Sequence, residues 1–260
     1  MINYVIFSRD RSCQLELLLR STKEYFKEYN STKINVLYTY SNEIFKQGYD
    51  KVINEYPEIN FVKENNFKSD FLKLVDDKNK YSIFFVDDQV FKEPFSLTEI
   101  SNDFDDKTAC ISLRLHPRLT YCYTANIYMK QPKMNNFKFD WTKETGDFGY
   151  PMSVDSHIYL TKDIKPYLVN LQYKNPNSLE GTLAMYPLQK PYMICFEYSK
   201  TLNNPCNKVQ TNNPNRHGNI SAEYLNQQYL DNKIIDLDMF RGIDNESCHK
   251  EMPIKFVNKF

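Results

Sequence analysis

Glycine is scarce in this chain, six in 260 residues, and no glycine-rich phosphate loop is present. A dinucleotide oxidoreductase would carry G-x-G-x-x-G after its first strand, and Arg9-Asp10-Arg11 stands there instead. No G-x-x-x-x-G-K-[ST] occurs, which argues against a P-loop phosphotransferase. Net charge is also missing: 33 basic residues offset 33 acidic ones. No field of one sign covers the molecule, so nucleic acid is not an expected partner. The six cysteines are scattered without a Cys-x-x-Cys pair, against both a disulfide scaffold and a zinc knuckle. No apolar stretch approaches the ~20 residues that span a bilayer. The chain opens on a strand-like run rather than a signal peptide, so a cytoplasmic location is expected.

What is present is a regular alternation over the first ninety residues. Asn3–Ser8, Ile34–Tyr40, Ile59–Val62 and Tyr81–Val86 are short apolar, β-branched runs that read as strands. Between them, Ser12–Tyr29, Asn42–Tyr56 and Lys68–Asp76 carry helical spacing, with Ser12 suited to the first N-cap. Such alternation predicts right-handed βαβ units, hence an α/β fold with a mainly parallel sheet flanked by helices. Tyr81–Val86 is the most continuously apolar run and suits the sheet centre. Beyond Phe91 prolines break the pattern into short pieces, without a linker or repeat. A single domain is expected, with 1–95 as one half and 96–260 completing it.

Ligands of open parallel sheets bind at the carboxyl ends of the strands. Ser8-Arg9-Asp10-Arg11, Ser41-Asn42, Glu64–Lys68 and Asp87-Asp88-Gln89 all fall there. Two neighbouring acids after a buried strand repel each other unless a cation or hydrogen-bond donors compensate. Hard divalent ions take such oxygen ligands, together with substrate phosphates. A turn with both acids simply solvated is the other reading.

This arrangement resembles the nucleotide-binding half of GT-A (Rossmann-like) glycosyltransferases, especially family-2-like enzymes, whose Asp-x-Asp-type motif sits after the corresponding strand. The resemblance covers the first ~95 residues by pattern. It implies a nucleotide-diphosphate sugar as donor and a glycan or other hydroxyl as acceptor. Under it, residues 1–95 bind the donor, and 96–260 bind the acceptor and carry the catalysis. Ser8 and Arg9 would lie beside the nucleotide, Ser41 at base or ribose, Lys68 at base or phosphate, and Asp87 at ribose or base. Asp88 would reach a Mn²⁺ or Mg²⁺ between the phosphates. Gln89 stands where the motif has its last carboxylate, a neutral and poorer metal ligand. Arg9 as a surface ion-pair partner and Lys68 as a solvated helix residue are the plain alternatives.

The later half supplies the acceptor side. In inverting relatives a carboxylate from this region deprotonates the acceptor hydroxyl; Asp155 is the first choice and Glu180 the second. Asp155 could instead cap a turn. Arg114, His116 and Arg118 alternate, as on one face of a strand, and could meet phosphates or simply line an exposed edge. Trp141, the single tryptophan, could stack on a sugar or sit in the core. His249, near the end of the sequence, matches the C-terminal metal-binding histidine of many GT-A enzymes. Arg216, in the polar stretch Asn213–His217, could offset the charge on a departing diphosphate. A sugar nucleotidyltransferase and a non-catalytic sugar-binding relative are the rival readings.

Overall fold

The computed structural model describes residues 2–100, 104–210 and 216–259. Strands and helices alternate as β1 (Ile2–Arg9), α1 (Ser12–Tyr25), β2 (Ile34–Thr39), α2 (Glu43–Glu55), β3 (Asn60–Lys63), α3 (Phe67–Lys73) and β4 (Tyr81–Val86). Then come β5 (Gln89–Phe91), β6 (Thr108–Ser112), the hairpin β7 (Tyr121–Cys122) and β8 (Ile127–Tyr128), β9 (Lys138–Asp140) and β10 (His157–Leu160). α4 (Thr161–Asn170), α5 (Pro176–Met185), β11 (Tyr192–Ile194), β12 (Thr201–Asn203), α6 (Ala222–Leu230), β13 (Lys233–Ile235) and β14 (Phe256–Asn258) follow.

The eight-stranded main sheet has the order β3-β2-β1-β4-β10-β6-β11-β9. β1 to β4 are mutually parallel, while β10 runs against both β4 and β6 and β9 runs against β11. β4 therefore lies inside the sheet, as its unbroken apolar run requires. Strand alternation divides the core. Ile2, Tyr4, Ile6, Ile83 and Phe85 pack on the face covered by α1, α2 and α6, through residues such as Leu18, Tyr49 and Leu225. Val5, Phe7 and Phe84 pack on the opposite face, under Phe71, Ile164 and Leu179 of α3, α4 and α5. Strands from residues 96–260 join the same sheet, so one sheet runs through the whole molecule.

Three local expectations need correction. α1 ends at Tyr25 rather than Tyr29, because Phe26 turns extended (φ −88°, ψ 109°) and inserts into the core. Ser12 is not its cap: Arg11 holds that position without a side-chain cap, and Ser12 Oγ donates to Asn226 Oδ1 at 2.8 Å. Residues 113–118 form no strand; they turn after β6, with Arg114 and His116 buried rather than on an exposed face. By contrast Asn42 and Asn66 cap α2 and α3, accepting from Phe45 N and Ser69 N.

Candidate active site

The tip of β4 carries the acids. Asp87 is buried and fully engaged: Oδ2 accepts from Ser8 Oγ (2.9 Å) and Arg9 N (3.0 Å), and Oδ1 accepts from Arg11 Nη1 (3.0 Å). Burial pushes its carboxyl up to about 6, against the pull of the Arg11 charge. Asp87 thus latches the ends of β4 and β1 together. Asp88 faces a cavity of about 490 Å³. Its Oδ2 accepts from Arg11 Nη1 (3.2 Å) and its Oδ1 from Asn203 Nδ2 (3.2 Å).

The cation that meets this pair is Arg11. Arg9 ends β1 with its side chain 56% exposed, against Asp10 at 3.5 Å. Asp10, at φ 54°, then turns the chain and brings Arg11 back over the acids. Gln89 points inside: Oε1 accepts from Val86 N (3.1 Å), and Nε2 donates to Ser156 Oγ and Asn203 Oδ1. It is a structural tie under the acids.

Asp155 and Glu180 line the same cavity. Three donors converge on Asp155 Oδ2: Asn203 Nδ2 at 3.4 Å, Arg114 Nη1 at 3.6 Å and His249 Nε2 at 3.6 Å. Burial alone would raise Asp155; the His249 contact and the Arg114 charge outweigh it and hold the carboxyl below its ordinary value. Glu180 is opposite in character. Burial, then the charge of Asp155, pushes it up to about 7, although its Oε1 accepts from Ser153 Oγ (2.7 Å) and Val154 N (3.2 Å). Arg114 is itself buried and also faces Asp147 Oδ1 at 3.5 Å. Burial works against the charge of His249, yet its Asp155 partner raises it above the usual histidine value.

The other expected residues are more dispersed. Ser8 is buried between Asp87 and Tyr49 (2.7 Å) and is not part of the wall of the Asp88 cavity. Ser41 edges a neighbouring cavity of about 440 Å³ and donates its N–H to Asp10 Oδ1 (2.7 Å). Lys68 lies elsewhere, on the first turn of α3, donating to Leu171 O (2.7 Å) at the end of α4 beside the Tyr173 ring. Arg216 lines the first cavity and donates to Tyr121 Oη (2.9 Å); residues 213–215 of its stretch lie outside the described residues. Trp141 is half-buried and donates to Lys190 O. Missing from the sequence reading were Arg11, Arg114 as a buried partner, Asp147, Asn203 and Asn207. Only Arg11 carried a signal, lying at the carboxyl end of a strand.

Do these residues suit the Mn²⁺ or Mg²⁺ expected at Asp88 and His249? Among the described residues no three His, Cys, Asp or Glu side chains gather as a ligand set. Both Asp88 oxygens take donors, His249 Nε2 faces Asp155, and Gln89 is turned inward. This donor set does not fit a resident divalent ion.

The mainly parallel sheet, with acids at the tip of an inner strand and a second carboxylate pair lining the same cavity, is the α/β arrangement that the sequence implies. In sequence the chain is 30% identical, over 281 aligned positions, to the bifunctional glycosyltransferase pgtA of Dictyostelium discoideum. That match covers 92% of this chain and 36% of the relative, so the chain spans about a third of the relative's length. The chain is thus related to a glycosyltransferase, in agreement with the GT-A resemblance of its first half. No family model matches it. Solved structures of similar shape include S. aureus TarS, with a TM-score of 0.47 and 12% identity, covering 74% of this chain and 36% of that one. The bifunctional glycosyltransferase WbbM has a TM-score of 0.40 and 11% identity over 74% of this chain and 38% of its own.

Proposed function

We propose that the chain transfers a sugar from a nucleotide-diphosphate sugar to an acceptor hydroxyl, in a glycan or another molecule, with inversion at the anomeric carbon. The observation that carries this reading is one cavity lined both by Asp88 with Arg11 and by Asp155 with Glu180. A donor in this cavity would present its diphosphate to Arg11 and its sugar to the carboxylates of the acceptor side.

Glu180 is the better proton acceptor of the two carboxylates. A base works best when its pKa lies near the working pH, and Glu180 stands at about 7 while Asp155 is held low. In the step, the acceptor oxygen bonds to the anomeric carbon as its proton passes to Glu180. The bond from that carbon to the diphosphate oxygen breaks, and the electron pair leaves with the nucleoside diphosphate. Asp155 stays ionised, keeps Glu180 basic and anchors Asn203, which in turn holds Asp88. Arg11 lies where the departing charge accumulates.

The test is transfer from a panel of nucleotide-diphosphate sugars, with product configuration read by NMR. A product of inverted configuration is expected. Retention, or no turnover of any donor, overturns the reading.

A further inference from the structure

The guanidinium of Arg11 has two working sides. Nη1 faces Asp87 and Asp88. The Nε–Nη2 edge is held by two oxygens of one residue: Nε donates to Asn207 Oδ1 at 2.8 Å and Nη2 to the Asn207 carbonyl at 2.6 Å. Two oxygens on one guanidinium edge is the fork geometry by which arginine takes carboxylates and phosphates. Here the occupant is neutral, and it is poorly satisfied. Gln14 Nε2 also donates to Asn207 Oδ1 (3.1 Å), while Asn207 Nδ2 is buried without a partner, as is Gln14 Oε1. A native structure rarely leaves such atoms orphaned without a reason.

The position of Asn207 supplies the reason. It belongs to the wall, with Lys208 and His217, shared by the 490 Å³ cavity of Asp88 and the 440 Å³ cavity of Ser41. A ligand with a nucleoside at one end and a sugar at the other would span the two by passing this shared wall. Arg11 is also the uncapped N-terminal residue of the 14-residue α1, which has no acid in its first turn, so the helix end favours an anion as well.

We infer that the Nε–Nη2 edge of Arg11 receives the diphosphate of the donor, and that Asn207 is its stand-in ligand until the donor arrives. This rests on the donor reading above. On binding, two phosphate oxygens replace the two oxygens of Asn207, and a charge-assisted pair replaces a neutral one. The acids Asp87 and Asp88 orient the fork and keep Arg11 in place.

Calorimetry with uridine and guanosine diphosphates, the matching nucleosides and inorganic pyrophosphate tests this. Asn207→Ala removes the competitor, so the diphosphates bind about tenfold tighter while the nucleosides do not change. Asn207→Asp places a carboxylate in the fork, so diphosphate binding falls by at least about tenfold although the protein remains folded. Arg11→Lys keeps the charge but loses the fork, and weakens the diphosphates selectively. Wild-type affinity for diphosphates persists in EDTA. Parallel weakening by Asn207→Ala and Asn207→Asp, no response to either, or loss of binding in EDTA overturns the inference. If no nucleotide binds any variant, the functional reading falls as well; binding that ignores residue 207 removes only the present inference.

Discussion

The carboxyl groups of Asp155 and Glu180 line one cavity with their proton affinities shifted in opposite directions. Arg114 and His249 hold the first ionised, while burial and the first one's charge bring the second to about 7. Two acids of one chemistry are thus given two tasks by their surroundings.

Glu180→Gln is expected to lower kcat by about 10²–10⁴-fold while donor affinity stays as it was, because the proton acceptor is lost and the donor side is untouched. Steady-state kinetics with a calorimetric donor titration checks this. Unchanged kcat would falsify the role.

Asp155→Asn should move the acidic limb of the kcat/KM profile below pH 7. Glu180 must be ionised to accept a proton, so wild-type activity rises as pH passes about 7. Removing the neighbouring negative charge makes Glu180 easier to ionise, so its pKa falls and the limb shifts to lower pH. The weaker base also lowers the plateau. A limb that stays in place would show that Asp155 does not tune Glu180.

Gln89→Glu restores the acidic third position of the motif, but at a site turned into the core. It is expected to cost about 3 kcal/mol in denaturant unfolding, since a buried carboxylate there loses the donations to Ser156 and Asn203. Mn²⁺ should not restore the loss. A variant of wild-type stability that gains metal dependence would show that residue 89 reaches the cavity.

Gly146 lines the cavity at φ +59°, and a Cβ there would sit 2.6 Å from Met129 Sδ and 2.9 Å from Cys122 Cβ. Gly146→Ala should therefore destabilise by at least about 1–2 kcal/mol, read as a lower Tm. Retained stability would mean that the β7–β8 hairpin yields without cost.

Local pattern was enough for the first half because its signals are short-range. Tyr81–Val86 is apolar on both faces, which only an inner strand tolerates, and the acids that follow necessarily lie at the ligand-binding edge. Only the tertiary packing of Phe26 shows where α1 stops. After Phe91 the strands shorten to two to five residues, too few for periodicity to speak.

What the sequence by itself determined is an alternating half with a parallel sheet, acids at the tip of its innermost strand, and Asp155 and Glu180 as acceptor-side candidates. Tertiary structure alone decided which cation meets those acids. Asp10 adopts a left-handed turn, which Asp tolerates better than most residues, and it sends Arg9 outward and Arg11 inward. It also joined Asn203 to Asp88 across 115 positions, and set Asp155 and Glu180 apart in charge. Burial and the field of distant groups govern such properties, and neither is carried by a residue's neighbours in the chain.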